Sequence, residues 1–284
     1  MKTEHLPVMV NELLDALSVK SSGLYLDGTL GGGGHALAVS SQGGTVIGID
    51  LDPEAFCRVQ NKLQPHHKVQ MHQDCFSNSG KYALRSSLDG AYLDLGTSMY
   101  QLKNSQRGFS LIVDGPLDMR FNPRQKLTAY DLIRKSSTST LARILHSGGV
   151  RNANAVAELI KDNQRSCTTT LGLANLVASK WQRKGYTHPA TVVFQALRMS
   201  VNRELPRLKE GLWAMYQLLK TGAALAVVVF HALEYQLVHS FMSDVEGKIK
   251  SIQRPSRREI LFNPAARSAQ LLVLQKLNLR HRTV

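Results

Sequence analysis

Cysteine is scarce in this chain: Cys57, Cys75 and Cys167 stand far apart, and no Cys-x-x-Cys occurs. That argues against a disulfide framework and a thiolate zinc site, and it fits a reducing compartment. No metal site is expected. Long hydrophobic runs are also missing; none approaches the roughly 18 residues needed to cross a bilayer. The opening residues 1–12 carry acids and no apolar signal core, so no secretory peptide is expected. They also lack the Arg- and Ser-rich amphipathic pattern of a transit peptide. A cytoplasmic protein is the simplest reading, with a mitochondrial one as the alternative. There is no internal repeat.

What the chain has is positive charge. Its 284 residues are 43% hydrophobic and 20% charged, and the formal net charge is +14. The apolar content is ordinary for a globular protein and suffices for one large domain or two smaller ones. The basic excess favours a polyanionic partner, most simply nucleic acid.

One stretch organises the rest: Tyr25-Leu26-Asp27-Gly28-Thr29-Leu30-Gly31-Gly32-Gly33-Gly34-His35. A short apolar run ends at an acid, four glycines follow, and His35 to Ser41 can be helical. Strand, tight turn and helix in that order mark the ligand end of an open α/β sheet. Free N–H groups at the helix start suit an anionic group. The spacing Gly31-x-Gly33-x-x-Ala36 also satisfies the loose dinucleotide fingerprint, so an NAD-linked oxidoreductase is a competing reading. Asp27 and the missing catalytic pattern oppose it. Asp27, just before the glycines, would repel a pyrophosphate but could hold an ammonium. Asp50 ends the next run, Thr45 to Asp50, where it could accept hydrogen bonds from ribose hydroxyls. An ammonium and a ribose together describe S-adenosylmethionine better than NAD.

The pattern then repeats. Asp52 can cap a helix whose first residue is Pro53. Val69 to His72 reads as a third strand, Ser77 to Ser86 as a polar helix, and Gly90 to Gly96 as a fourth strand holding Asp94. Successive βα units imply a parallel sheet with right-handed crossovers. Asn104 to Lys126 is a long loop without period, and such loops inside compact domains are usually functional. From Thr128 to Lys220 the chain reads as helices, capped at Thr128, at Thr138 or Ser139, and at Thr168. Val193, Leu197, Val201 and Leu205 recur every four residues as one buried face. Ala224 to Phe230 is a continuous apolar run suited to a buried strand. A helix from Leu233 to Met242 and two closing strands, Lys248–Gln253 and Gln270–Lys276, complete seven strands. The division expected is 1–103 and 205–284 for the α/β domain and 104–204 for an inserted helical domain.

These residues resemble one family: the methyltransferases that modify N4 of a cytidine in small-subunit ribosomal RNA. The resemblance runs nearly the whole chain. It rests on His5-x-Pro7-Val8, the glycine turn, Asp50-x-Asp52-Pro53, Leu93-Asp94-Leu95-Gly96, Arg107-Gly108-Phe109-Ser110 and Asp114 to Arg120. It continues through His188-Pro189-Ala190-Thr191, Phe194 to Arg198, Val201-Asn202-x-Glu204, Phe230-His231, Leu233-Glu234 and Asn263-Pro264. It implies a Rossmann-like class I methyltransferase domain with an all-helical insertion. It also implies S-adenosylmethionine as donor and the decoding region of small-subunit RNA as substrate.

Carried over by position, the family's cofactor contacts fall on Gly33, Gly34, His35, Asp50, Phe76, Asp94 and Gln101. By residue type alone Phe76 reads equally as core. Asp94, with the backbone carbonyls of Gly96 to Ser98, is the candidate acceptor for the cytosine amine and hence the catalytic group. Arg120, His188, Arg198, Asn202 and His231 are candidate substrate contacts, with Arg198 and Asn202 equally readable as braces. Arg107 is a further candidate contact, Asp118 reads equally as substrate contact or loop brace, and Lys248, Lys250, Arg254, Arg257 and Arg258 could form a phosphate path. Departures from the family pattern fall at Tyr100, Lys103, Tyr235 and Gln236. They keep a second function in play, a non-catalytic RNA-binding or ribosome-assembly factor on the same fold, and a homodimer stays open.

Overall fold

The computed structural model describes residues 7–181 and 188–278; His5 of the opening motif lies outside them. The chain forms two compact units, one from the residues up to Gly96 and from Leu205 onward, the other Thr97–Glu204. The helical unit thus starts earlier than position 104.

In chain order the first unit opens with helix α1 (Val10–Leu17), strand β1 (Leu24–Asp27), α2 (Gly34–Ser41), β2 (Thr45–Asp50), α3 (Pro53–Gln60), β3 (Lys68–Gln73) and β4 (Leu88–Asp94). The helical unit follows with α4 (Met99–Lys103), α5 (Ala129–Lys135), α6 (Thr138–Ser147), α7 (Ala153–Asp162), α8 (Thr170–Lys180) and α9 (Thr191–Asn202). The chain then returns with α10 (Glu204–Leu218), β5 (Leu219–Val229), α11 (Ala232–Asp244), β6 (Gly247–Gln253), α12 (Arg257–Phe262) and β7 (Gln270–Lys276).

The seven strands make one sheet in the order β3-β2-β1-β4-β5-β7-β6. Strands β1 to β5 pair in parallel, and β7 runs antiparallel to both β5 and β6. The order reverses between β1 and β4, and ligands of such sheets gather at the carboxyl ends beside that switch. Strand β5 is buried on both faces from Ala223 to Val229, which explains its unbroken apolar run. Thr221 and Gly222 lie at an irregularity inside β5, where the pairing with β4 jumps from Leu88↔Leu219 to Gly90↔Ala224.

Two apolar clusters sandwich this sheet. One gathers Leu26, Ile47, Leu93, Leu212, Val227 and Leu272; the other gathers Leu13, Tyr25, Val46, Tyr92, Val228 and Val273. Neighbours on one strand, such as Tyr92 and Leu93, fall in opposite clusters because successive side chains point to opposite faces. The helical unit has its own core, including Leu117, Met119, Ile133, Leu141, Ile160, Leu173 and Leu197.

Three expectations change. Ser77 to Ser86 is no α-helix; Phe76–Lys81 is a short 3-10 turn. Asp74 causes this: it accepts from Cys75 N–H, Asn78 Nδ2, Lys81 Nζ and Tyr82 Oη, a local network that competes with the helical ladder. Those donors hold its carboxyl at about 2. The caps of α6 and α8 are Ser137 and Thr169, each one position from the expected residue. Leu205 is not on the same helix as Val193, because Arg203 turns into the left-handed region at φ 51° and ends α9.

The glycine turn is shaped by packing. Gly33 sits at φ 78°, and a Cβ there would lie 2.6 Å from Val59 Cγ2. On Gly34 a Cβ would lie 2.6 Å from Pro7 Cγ. Both strain and overlap therefore oppose Gly33→Ala, which should lose about 1–3 kcal/mol of stability. Thermal denaturation checks this against Gly80→Ala, whose added Cβ meets nothing within 4 Å and which should melt close to the parent.

Candidate active site at the carboxyl ends of β1, β2, β4 and β5

Three strands of the first unit end in an acid: β1 in Asp27, β2 in Asp50, β4 in Asp94. The fourth, β5, runs into Phe230-His231 and the first turn of α11, which carries Glu234. Parallel pairing places these ends along one edge of the sheet.

Each acid is used differently. Asp27 is 2% exposed, and its Oδ1 accepts the Thr29 N–H at 2.9 Å. It braces the turn from beneath, so the expected ammonium-holding role does not fit its burial. The pairing of Gly28 N–H with the Tyr92 carbonyl draws it inward. Asp50 bridges β2 to the turn: Oδ2 accepts from Gly31 N–H at 2.7 Å and Oδ1 from Asp52 N–H at 2.8 Å. Each oxygen keeps a lone pair for a further donor. Lys62 Nζ holds the Gly32 carbonyl at 3.0 Å.

Asp94 is the one left wanting. Its N–H donates to Thr29 Oγ1 at 2.6 Å, which fixes the strand end to the turn. Its Oδ1 is buried and has no hydrogen-bond partner. Across from Oδ2, at 3.7 Å, is His35 Nδ1. His35 Nε2 lies 2.8 Å from the Val8 carbonyl, which can only accept, so Nε2 carries the ring proton. In the neutral ring Nδ1 is then a bare lone pair facing a carboxylate. Burial lowers the His35 pKa, which favours that neutral ring. Burial, aided by the nearby Glu234 charge, pushes Asp94 up to about 7; burial also pushes Asp27 to about 7.

Glu234 is the residue that sequence reasoning left out of the site. It is 3% exposed, its Oε2 accepts the Phe230 N–H at 2.8 Å, and its Oε1 lies 3.1 Å from His231 Nε2. His231 is the N-cap of α11, accepting the Glu234 N–H on Nδ1 at 3.3 Å. The signal was present as a polar residue three positions before a glutamate at a helix start, a variant of the capping box.

Helix α2, whose N-cap is Gly33, has no side-chain cap on its first amide groups. Phe76 is half-buried against the first sheet cluster. A Cβ on Gly211 would meet its ring at 2.2 Å, so α10 is pressed onto that ring, as the core reading of Phe76 requires. Among the described residues no group of three His, Cys, Asp or Glu could hold a metal ion.

In the helical unit the expected contact residues are engaged internally. Asn202 is 1% exposed; its Nδ2 donates to the Met119 and Arg198 carbonyls and its Oδ1 accepts from Phe121 N–H. Both amide hydrogens are used and the group is buried, so Asn202 staples the long loop to α9. Arg198 grips Glu204 with Nε and Nη2 at 2.8 and 2.9 Å. Arg120 pairs with both oxygens of Asp118 and donates to the Gln125 carbonyl. Arg107, 6% exposed, holds the Arg120 and Phe121 carbonyls. Side-chain bonds thus supplement the main-chain bonds that hold the long loop, such as Met119 N–H to the Arg107 carbonyl. Gln101 is also buried, and it forms a capping box with Ser98 at the start of α4. His188 is half-buried and accepts the Ala190 N–H on Nδ1.

A sequence model of the MraW methylase family matches residues 2–277. The chain belongs to this family. It is 40% identical to Ribosomal RNA small subunit methyltransferase H of Coprothermobacter proteolyticus, over 96% of each chain. It is 34% identical to the protein of the same name from Coxiella burnetii, over 96% of this chain and 99% of that one. A crystal structure from Clostridium thermocellum superposes with a TM-score of 0.50 at 13% identity, covering 96% of this chain and 99% of that one, a likeness of fold alone. This MraW-family methylase is thus a methyltransferase on a Rossmann-like sheet, and its carboxylate edge lies where that fold carries its ligands.

Two predictions follow from the buried polar groups of this methylase. Asp27 and Asp94 titrate near 7 in the folded chain, above the usual carboxylate value of 3.8. Below that usual value both are protonated folded or unfolded, and the contribution of these two groups to stability is fully present. Between that value and about 7 the unfolded chain has released these protons while the native state still holds them, so stability falls as pH rises across that window and levels off once the native groups ionise. The contribution of these two groups to thermal stability in the ligand-free protein should therefore drop between about pH 4 and 7, and less steeply in Asp94→Asn. Asn202→Ala should cost about 2 kcal/mol or more, since the Phe121 amide loses its buried partner; denaturant unfolding measures it.

Proposed function

We propose that this chain transfers a methyl group from S-adenosylmethionine to N4 of a cytidine in the decoding region of small-subunit ribosomal RNA. The relatives' names supply the RNA class, and the donor follows from the family and from the fit of the residues. One observation carries the chemical reading: the buried, partnerless Oδ1 of Asp94 at the end of β4. A carboxylate oxygen hidden from water with no donor is costly unless a ligand supplies one.

When bound, the donor supplies an electrophilic methyl group on a sulfonium that departs as a neutral thioether. The uncapped amides at the start of α2 would hold its carboxylate. Asp50 would accept the ribose hydroxyls on the lone pairs that Gly31 and Asp52 leave, and Phe76 would flank the adenine. Gly33 and Gly34 let the turn close tightly enough to bring those groups together. His35 would line the pocket beside Asp94.

Cytosine N4 is a weak nucleophile because its lone pair is delocalised into the ring. Asp94, with the Gly96 carbonyl, would accept the amine hydrogens and turn that lone pair toward the methyl group. Alignment at about 3–3.5 Å then does much of the work. Methylation leaves a proton to be removed from N4, and a carboxylate that titrates near 7 is suited to receive it at neutral pH. His231, at the head of α11, would meet the substrate. The helical unit, Thr97–Glu204, would recognise RNA, with His188 as its contact candidate. Arg120, Arg198, Asn202 and Gln101 would act indirectly, by holding their loops.

The test is incubation of small ribosomal subunits lacking the mark with labelled S-adenosylmethionine, followed by nucleoside analysis. Label on N4-methylcytidine is expected, and Asp94→Asn should lower the rate by about 10²-fold or more. Binding of subunits without any transfer by the folded parent would instead support the non-catalytic assembly factor, which the departures at Tyr100, Lys103, Tyr235 and Gln236 keep in view.

A further inference from the structure

Helix α12 buries none of its residues. Leu261 is 76% exposed and Phe262 is 68% exposed, side by side. Two adjacent large apolar side chains left in water mark a surface that meets something. The helix is nonetheless fixed. Ser256 caps it, and Glu259 accepts the Met9 N–H at 2.7 Å. The neighbouring Val8 carbonyl takes the His35 Nε2 bond, and His35 Nδ1 faces Asp94. Two hydrogen bonds thus tie α12 to His35, whose other ring nitrogen lies 3.7 Å from Asp94 at the end of β4.

The surroundings of the pair are cationic. Between 248 and 270 stand Lys248, Lys250, Arg254, Arg257, Arg258 and Arg267 against a single acid, Glu259. Arg257 precedes Leu261 by four positions and Arg258 precedes Phe262 by four, so each arginine shares a helix face with one apolar side chain. Both arginines are exposed. An aromatic ring flanked by guanidinium groups suits one class of partner, single-stranded nucleic acid, whose bases stack while its phosphates pair. A second copy of this chain would bring the same cations face to face, which opposes self-association.

We propose that α12 is a stacking platform for single-stranded RNA beside the target nucleotide, with Phe262 and Leu261 under an unstacked base and Arg257 and Arg258 on the adjoining phosphates. The placement beside the target rests on the RNA methylation argued above. The platform itself binds RNA whether or not transfer occurs.

The experiment measures affinity for a short fluorescent single-stranded oligoribonucleotide, together with KM and kcat on small ribosomal subunits. Phe262→Ala should weaken oligonucleotide binding by roughly tenfold, and raise KM by a similar factor with kcat little changed. Phe262→Trp should retain both, since it keeps a stacking face. Arg258→Gln should weaken binding and flatten its salt dependence. Calorimetry with S-adenosylmethionine confirms that each variant keeps its donor site. Unchanged oligonucleotide affinity in Phe262→Ala overturns the platform. So does a parent dimer that Phe262→Ala converts to monomer in light scattering. A parent that binds RNA through Phe262 but transfers no methyl group overturns the proposed function and leaves the platform standing.

Discussion

Parallel strands that each end in an acid crowd their carboxylates along one sheet edge, and the protein has to make that crowding tolerable. It does so in three ways. Asp50 takes two backbone amides from the turn and from the start of α3. Asp27 is buried under the turn with one amide and titrates near 7. Glu234 is satisfied by the Phe230 amide and flanked by His231. Only Asp94 is given neither an amide for Oδ1 nor a proton from His35, whose one ring proton points to Val8. The tight glycine turn, the tautomer of a buried histidine and the cap of α11 all converge on that unmet need.

The fold was legible because its signals are local and periodic. Strand β2 and strand β7 are bounded as read, since each is an apolar run closed by a change of composition. Asp52 caps α3 by accepting the Glu54 N–H, with Pro53 behind it. Such devices depend on neighbours in sequence and need no tertiary knowledge. The Ser77–Ser86 segment failed for the converse reason. A single side chain, Asp74, collects four donors from residues up to eight positions on, and helix propensity carries no trace of that.

The candidate site was legible in part. Residue type and position placed Asp50, Asp94 and His35 on one edge, because strand ends of a parallel sheet must meet there. What the sequence could not express was direction and competition. Arg198 and Arg120 have the charge to hold phosphate, yet each faces a carboxylate nearer than any solvent-borne partner. Asn202 has the right chemistry for base contact but lies at the centre of the loop it staples. Motif membership reports that a residue matters and leaves open whether it touches the substrate or the loop that does.

That distinction bears on how a long loop can serve recognition at all. Residues 104–126 have little regular structure, so backbone groups that find no main-chain partner, as Met119 N–H does on the Arg107 carbonyl, must be bonded by side chains or left to water. Arg107 takes two of the carbonyls and Asn202 takes a third together with one amide. Gln125 reaches across to the Val201 carbonyl, fixing the loop to the last turn of α9. Such a loop has few ways to shift that do not break several buried bonds at once. Polar side chains inside it thereby trade direct contact for shape, holding the half-exposed neighbours in a single arrangement. Order of that kind lowers the entropy lost when a partner is bound, which is why interior arginines of a loop can govern recognition without meeting what is recognised.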